Sequence, residues 1–235
     1  MPTKHCGADE TALRNAIDHL PDELFNTYQG GWPDSISLAL LDAIYSLHPT
    51  YEPQHPERGI TSRVFKFAQE HPETEDSLSS LAELGEAAVR EMMGYGKTGV
   101  NLRSDAVVEV ARSMLSLTPP IVRASEFTGE RLSDVRQVFA GVDGLGKVAF
   151  TYFATNLGVP GAQVDAKLTR FVARYAFGDQ TLRLSSHRVV ALVTNAYRRD
   201  HRGAESVSHF EHALSLGERG GHAPDESSLR NALGP

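Results

Sequence analysis

Residues 144–170, GLGKVAFTYFATNLGVPGAQVDAKLTR, decide how the chain is read. Gly144-Leu145-Gly146 opens a helical pattern whose first residue is Lys147, and eighteen positions later Asp165 opens a second amphipathic helix through Leu168, Phe171, Val172 and Tyr175. A helix that begins after glycines leaves its first backbone N–H groups without carbonyl partners, and such groups suit a phosphate oxygen. An amine and a carboxylate at neighbouring helix starts can act on one sugar. An Asp directly before a helix is also a good N-cap, so Asp165 carries two readings that can coexist.

Working outward, almost every periodic segment is helical. Pro33-Asp34-Ser35 caps a helix to about Leu47 that is apolar nearly all round (Ile36, Leu38, Leu40, Leu41, Ile44, Tyr45), which predicts a central core helix. Further helices are predicted over 8–18, 57–70, 77–93, 103–117, 131–139, 146–157, 166–176, 186–199 and 204–216, with Gly, Pro or Ser-rich punctuation between them. No hairpin or alternating strand signal competes, so the class is all-α. Residues 118–130 form the longest internal connection, and 217–235 read as a polar tail.

The chain of 235 residues can bury a substantial core in one large or two small domains. No apolar run is long enough to span a bilayer and no signal-peptide h-region opens the chain, so a cytoplasmic protein without membrane contact is expected. Cys6 is the only cysteine, which excludes internal disulfides and a four-cysteine iron–sulfur loop. The net charge of -7 argues at first against a nucleic-acid partner, but residues 131–202 carry eleven Lys or Arg against five Asp or Glu. That segment is +6 and the remainder -13. Fields are local at physiological salt, with a Debye length of roughly 8 Å, so a basic face can hold DNA on an acidic protein.

The run Lys147, Gly158, Pro160, Val164, Asp165, Leu168, Arg170 resembles the helix-hairpin-helix Gly/Pro-Asp (HhH-GPD) DNA glycosylases of the endonuclease III type, in order and in spacing from the Lys onward. The family's hairpin usually reads Leu-Pro-Gly-x-Gly-x-Lys. Here Ala140-Gly141-Val142-Asp143-Gly144-Leu145-Gly146-Lys147 sets its glycines one place nearer the Lys and lacks the proline, so either the hairpin is reshaped or Lys147 is displaced. Ala82-Glu83-Leu84-Gly85 through Gly94-Tyr95, with the helix at 103–117, resembles the family's mid-barrel helices and DNA-facing turn, which extends the similarity over about 34–215. The resemblance implies a two-lobed, all-α fold with a central cleft: a helical barrel lobe over 34–158 ending in the hairpin, and a second lobe from 1–33 plus 159–235. It implies an enzyme that flips a damaged or modified base out of double-stranded DNA and cleaves its N-glycosidic bond, acting as a monomer without a cofactor. Family members handle oxidised, alkylated, mismatched and deaminated bases, and for this chain a role against modified foreign DNA such as phage DNA would be a further option.

Within that resemblance Asp165 would stabilise the cationic sugar as the glycosidic bond breaks, or take a proton from the attacking nucleophile. Lys147 would attack C1′ to form a Schiff base, the alternative being a Lys that meets a phosphate while activated water does the chemistry. Gly144 and Gly146 would hold DNA through backbone N–H groups, and Lys167, Arg170, Lys97 and Asn101 would contact its backbone. His48 matches the loop whose side chain fills the gap left by a flipped base, the alternative being a loop His with no such role. Tyr45, Tyr152 and Phe153 could stack on the extruded base, although aromatic residues at this helical spacing, Trp32 among them, more often belong to the core.

Two other motifs fall away on their chemistry. Gly94-Tyr95-Gly96-Lys97-Thr98-Gly99 imitates the end of a phosphate-binding P-loop, but Glu91 stands where the first glycine is required and a helix precedes the loop. His209 and His212 sit on one helix face without an obvious third metal ligand. Two readings remain beside the enzyme: an HhH-GPD-like module that binds DNA without cutting it, and a purely structural helical domain.

Overall fold

The computed structural model describes residues 9–26, 31–47 and 59–220, and these residues are all-α apart from one minute hairpin. In chain order the helices are α1 (Glu10–Asp18), α2 (Glu23–Asn26), α3 (Ile36–Tyr45), α4 (Ile60–Glu70), α5 (Leu78–Met93), α6 (Arg103–Leu115), α7 (Leu132–Gly141), α8 (Lys147–Asn156), α9 (Ala166–Phe177), α10 (Ser186–Arg199) and α11 (Val207–Gly220). Strands β1 (Lys97–Thr98) and β2 (Asn101–Leu102) pair antiparallel between α5 and α6. The chain divides into two compact units, one of residues 30–159 and one of 1–29 with 160–235.

The unit of residues 30–159 is built around α3. Nine of its ten residues are buried, as a helix apolar on every side requires. Helices α4, α5, α6 and α8 pack on it. The Trp32 indole N–H donates to Asp42 Oδ2 at 3.0 Å, and the ring meets Phe65 edge-on at 4.9 Å. An aromatic cluster closes the unit beside α7 and α8: Phe153 stacks on Phe127 at 5.4 Å and lies 5.3 Å from Phe139, which in turn meets Phe150 edge-on. In the other unit α1, α9, α10 and α11 share one core, with Leu13, Ile17, Phe171, Val172, Val193 and Phe210 at its centre. Asp9, Asp165 and Ser185 supply the side-chain N-caps of α1, α9 and α10, and α9 ends on Gly178 in the left-handed conformation (φ 69°).

Besides the short α2, which no predicted segment covers, three local features differ from the sequence-based expectation. The hairpin at 97–102 stands where no strand was expected, because two residues per strand are too few for alternation to register. Helix α5 is broken at Gly85 (φ 83°, ψ 173°), inside a run of good helix formers that reads as continuous. The last helix begins at Val207 rather than 204 and reaches Gly220, so the polar tail starts later than expected. Among the described residues no helix is long and apolar enough to cross a membrane.

Candidate functional site

The loop before α8 owes its shape to the hairpin. Gly144 has φ 75°, and a Cβ there would strike the backbone of Thr98 and Gly99, with the Thr98 carbonyl oxygen only 2.7 Å away. The Thr98 hydroxyl donates to the Gly144 carbonyl at 2.7 Å, and the Val100 N–H donates to Asp143 Oδ2 at 3.0 Å. Gly99 (φ 57°) faces the Asp143 carboxylate so closely that a side chain there would collide with it. Loop and hairpin thus form one piece. Gly146 then starts α8 with no side-chain cap, so the first-turn N–H groups, which have no intrahelical acceptors, are not met by a capping side chain.

This piece walls a cavity of about 780 Å³ lined by Lys97, Thr98 and Gly99 of the hairpin, Arg103, Gly144 to Lys147 and Tyr152, together with Ser46 and Leu47 after α3. Of the residues singled out in the sequence, it brings together Gly144, Gly146, Lys147, Lys97 and Tyr152. Lys147 and Lys97 are exposed, and Tyr152, Val148 and Val100 are large side chains left open to solvent nearby. Asn101 lies in β2, partly buried and outside the lining.

Tyr45 and Phe153 do not belong to this wall, which corrects their placement as base-stacking residues. Phe153 is fully enclosed by Phe127 and Phe139 because it shares the inward stripe of α8 with Ala149, Phe150 and Ala154. Tyr45 is 1% exposed at the end of α3, and its hydroxyl donates to the Gly94 carbonyl at 3.3 Å. Burial pushes its phenol well above the ordinary range, with Arg103 and Arg90 pulling the other way. His48 lies outside the described residues.

Sequence reasoning missed Arg103. Its guanidinium donates to the Tyr45 carbonyl at 2.8 Å, to the Leu47 carbonyl, and through Nε to the Lys97 carbonyl at 3.2 Å, so one side chain ties the end of α3 to the hairpin and floors the cavity. Burial lowers its pKa, against the neighbouring Tyr45. A signal was available: a cation at the first residue of a helix sits at the wrong end of the macrodipole and needs acceptors elsewhere. The carbonyls ending α3 are those acceptors.

In the other unit Asp165 caps α9 through Oδ1, which accepts from the N–H groups of Lys167 (2.9 Å) and Leu168 (2.8 Å). Its Oδ2 accepts from the hydroxyl of Ser215 on α11 at 2.9 Å. One turn earlier on α11, Glu211 is fully buried and accepts from the N–H groups of Gly161 (2.8 Å) and Gln163 (3.2 Å). Burial raises its pKa to about 7, opposed by those two backbone donors. Lys167 is partly buried and Arg170 exposed on the following turn of α9. Part of the basic segment is consumed internally, since Arg174 pairs with Glu218 at 3.4 Å, Arg199 with Glu10 at 3.8 Å, and Arg202 with Asp22.

The P-loop imitation resolves into the end of α5, where Gly94 has φ 93°, and the hairpin that follows. His209 is buried on α11 and His212 half-buried. Among the described residues no three His, Cys, Asp or Glu side chains gather as a metal site.

No curated protein and no solved structure matches this chain. One family model does, over residues 12–215, and it is described as a domain of unknown function, DUF8548. With most of its length covered by that model, the chain belongs to the DUF8548 family.

Proposed function

We propose that this protein is a DNA glycosylase of the HhH-GPD kind, releasing a damaged or modified base from double-stranded DNA. The observation that carries the reading is the cavity of about 780 Å³ at the uncapped start of α8, where Lys147, Lys97, Arg103 and Tyr152 line one space. Cations and open N–H groups suit a phosphate, and an exposed tyrosine ring suits the face of an unstacked base. A volume of this order accommodates a nucleotide. The spacing from Lys147 to Asp165 adds the chemistry: as the bond from C1′ to the base nitrogen breaks, the base leaves with the electron pair and the sugar becomes cationic. A carboxylate such as Asp165 offsets that charge, and water or an amine then bonds to C1′ and gives up a proton, while the departing base takes one up.

One observation favours a second reading, an HhH-GPD-like protein that binds DNA without cutting it. Both carboxylate oxygens of Asp165 already accept hydrogen bonds from their own unit, which leaves the carboxylate fewer lone pairs for a sugar or an attacking nucleophile. The experiment that separates the two is single-turnover incubation with duplexes that each carry one uracil, hypoxanthine, oxidised purine or oxidised pyrimidine, followed by alkali cleavage at abasic sites. Base release by the wild type that falls on the order of a hundredfold in Asp165→Asn, at unchanged duplex affinity, supports the enzyme. Duplex binding with no release from any substrate supports the binding module. Asn caps helices about as well as Asp, so thermal unfolding of the variant should stay close to wild type.

A further inference from the structure

Asp165 is held more elaborately than a helix cap requires. Asp9, the N-cap of α1 in the same unit, receives the Thr11 and Ala12 N–H groups on Oδ1, and that suffices to start its helix. Asp165 makes the equivalent pair of bonds and in addition has Oδ2 engaged by Ser215 at 2.9 Å. With different donors on its two oxygens the carboxylate plane is fixed in rotation about Cβ–Cγ. Ser215 is itself 3% exposed and sits on α11, whose Phe210, Ala213 and Leu214 are locked in the core.

The backbone leading into Asp165 is fastened from the same helix. Glu211 precedes Ser215 by one turn and so shares its face of α11. Its two oxygens take the N–H groups of Gly161 and Gln163, the segment that turns through Gly161 (φ 88°) before α9 begins. Loop N–H groups are ordinarily satisfied by water or a neutral side chain, and burying a carboxylate for the purpose is costly. What the carboxylate supplies is two acceptors on a rigid planar group, which fixes two N–H groups relative to one another.

We infer that Glu211 and Ser215 are positioning residues for Asp165, Glu211 by clamping the 161–163 backbone and Ser215 by setting the direction of the second carboxylate oxygen. The inference rests on the glycosylase reading and specifies how that reading's carboxylate is aimed. Misplacing a reacting group by about 1 Å can cost on the order of a hundredfold in rate. An aimed carboxylate therefore matters for a rate in a way it does not for a fold.

The test uses the full chain and two variants of equal shape, Ser215→Thr and Ser215→Val, which differ only in the hydroxyl. Single-turnover excision is measured on whichever of the four duplex types the wild type processes, beside duplex affinity and hydrogen exchange of the Lys167 and Leu168 amides. Ser215→Val should excise roughly tenfold slower or worse at unchanged affinity and exchange those amides faster, while Ser215→Thr recovers both. Glu211→Gln, which keeps one acceptor and loses the other, should slow excision likewise and deprotect the Gly161 and Gln163 amides. Equal rates for the Thr and Val variants would overturn the role of Ser215, since only packing would then matter. Wild-type excision by Ser215→Val and Glu211→Gln, alongside a dead Asp165→Asn, would overturn the inference while leaving the glycosylase reading intact. No release from any duplex by the wild type would remove that reading, and this inference with it.

Discussion

The Thr98 hydroxyl donates to the Gly144 carbonyl at 2.7 Å, across forty-six positions of sequence, and joins the α5–α6 hairpin to the loop that opens α8. Two short segments that would each be pliable alone become one wall of the cavity. The walls are set before any ligand arrives, which lowers the ordering cost of binding.

Gly144→Ala tests that junction. The left-handed conformation at φ 75° and the collision with the Thr98 and Gly99 backbone act together, so a loss of at least about 2 kcal/mol is expected. Gly141→Ala is the control, because a Cβ there meets open space at the end of a helix, and it should be neutral or stabilising by up to about 1 kcal/mol. Chemical denaturation of both variants checks the pair. Equal stabilities would mean that the loop moves away from the hairpin at little cost.

Arg103→Lys should be nearly as damaging as Arg103→Met. A single ammonium cannot reach the carbonyls of Tyr45, Leu47 and Lys97 at once, and each bond from a charged donor is worth about 1.5–3 kcal/mol against an acceptor left unsatisfied. We expect a loss of about 3 kcal/mol in either variant and weaker duplex binding, since both ends that Arg103 ties line the cavity. Wild-type melting by Arg103→Lys would show that charge alone suffices there.

Glu211 gives a stability dependence with a definite sign. Its pKa is raised from 4.5 to about 7 in the fold, so between those values the native state holds the proton more tightly than the unfolded chain. Stability from this group is fully present below about pH 4.5 and is lost as pH rises to about 7. The span corresponds to about 3 kcal/mol at most. Glu126 and Asp179 work oppositely, because hydrogen bonds hold their carboxylates below the ordinary range. The difference in unfolding free energy between wild type and Glu211→Gln isolates the first effect. It should shift against the wild type as pH climbs from 4.5 to 7, and a flat difference would contradict the burial argument.

Much of the all-α reading was accessible because helix signals are local. The all-round apolar run over 36–45 could only be a buried helix, and Asp165 before Leu168, Phe171 and Val172 could only open an amphipathic one. The cap itself is as expected, with Oδ1 on two N–H groups. What stayed hidden depends on contacts distant in sequence: the hairpin, whose Gly99 answers to Asp143, and Arg103, whose acceptors lie on α3 and β1. Ser215 and Glu211 were invisible for the same reason, being about fifty residues from what they hold. Of the two readings of Phe153, stacking and core, the core one was legible. Ala149, Phe150, Phe153 and Ala154 form one stripe of α8, which points Tyr152 outward and Phe153 in.

If Lys147 attacks C1′, the reaction would pass through an imine that borohydride reduces to a permanent protein–DNA cross-link, whereas attack by water would leave a free abasic site. Lys147 is the first residue of α8, exposed, next to open N–H groups and on a wall shared with Lys97. That environment collects phosphate oxygens, and the glycines set one place nearer the Lys than in the HhH-GPD pattern point the same way. We expect no trapping by the wild type. Lys147→Gln should instead weaken binding to all duplexes alike and reduce the slope of log affinity against log salt by about one, as loss of one phosphate contact does. A strong borohydride-dependent adduct that disappears in Lys147→Gln would reverse the assignment and make the amine the nucleophile. An adduct that persists in that variant would move the role to another amine, with Lys167 the nearest in sequence to Asp165.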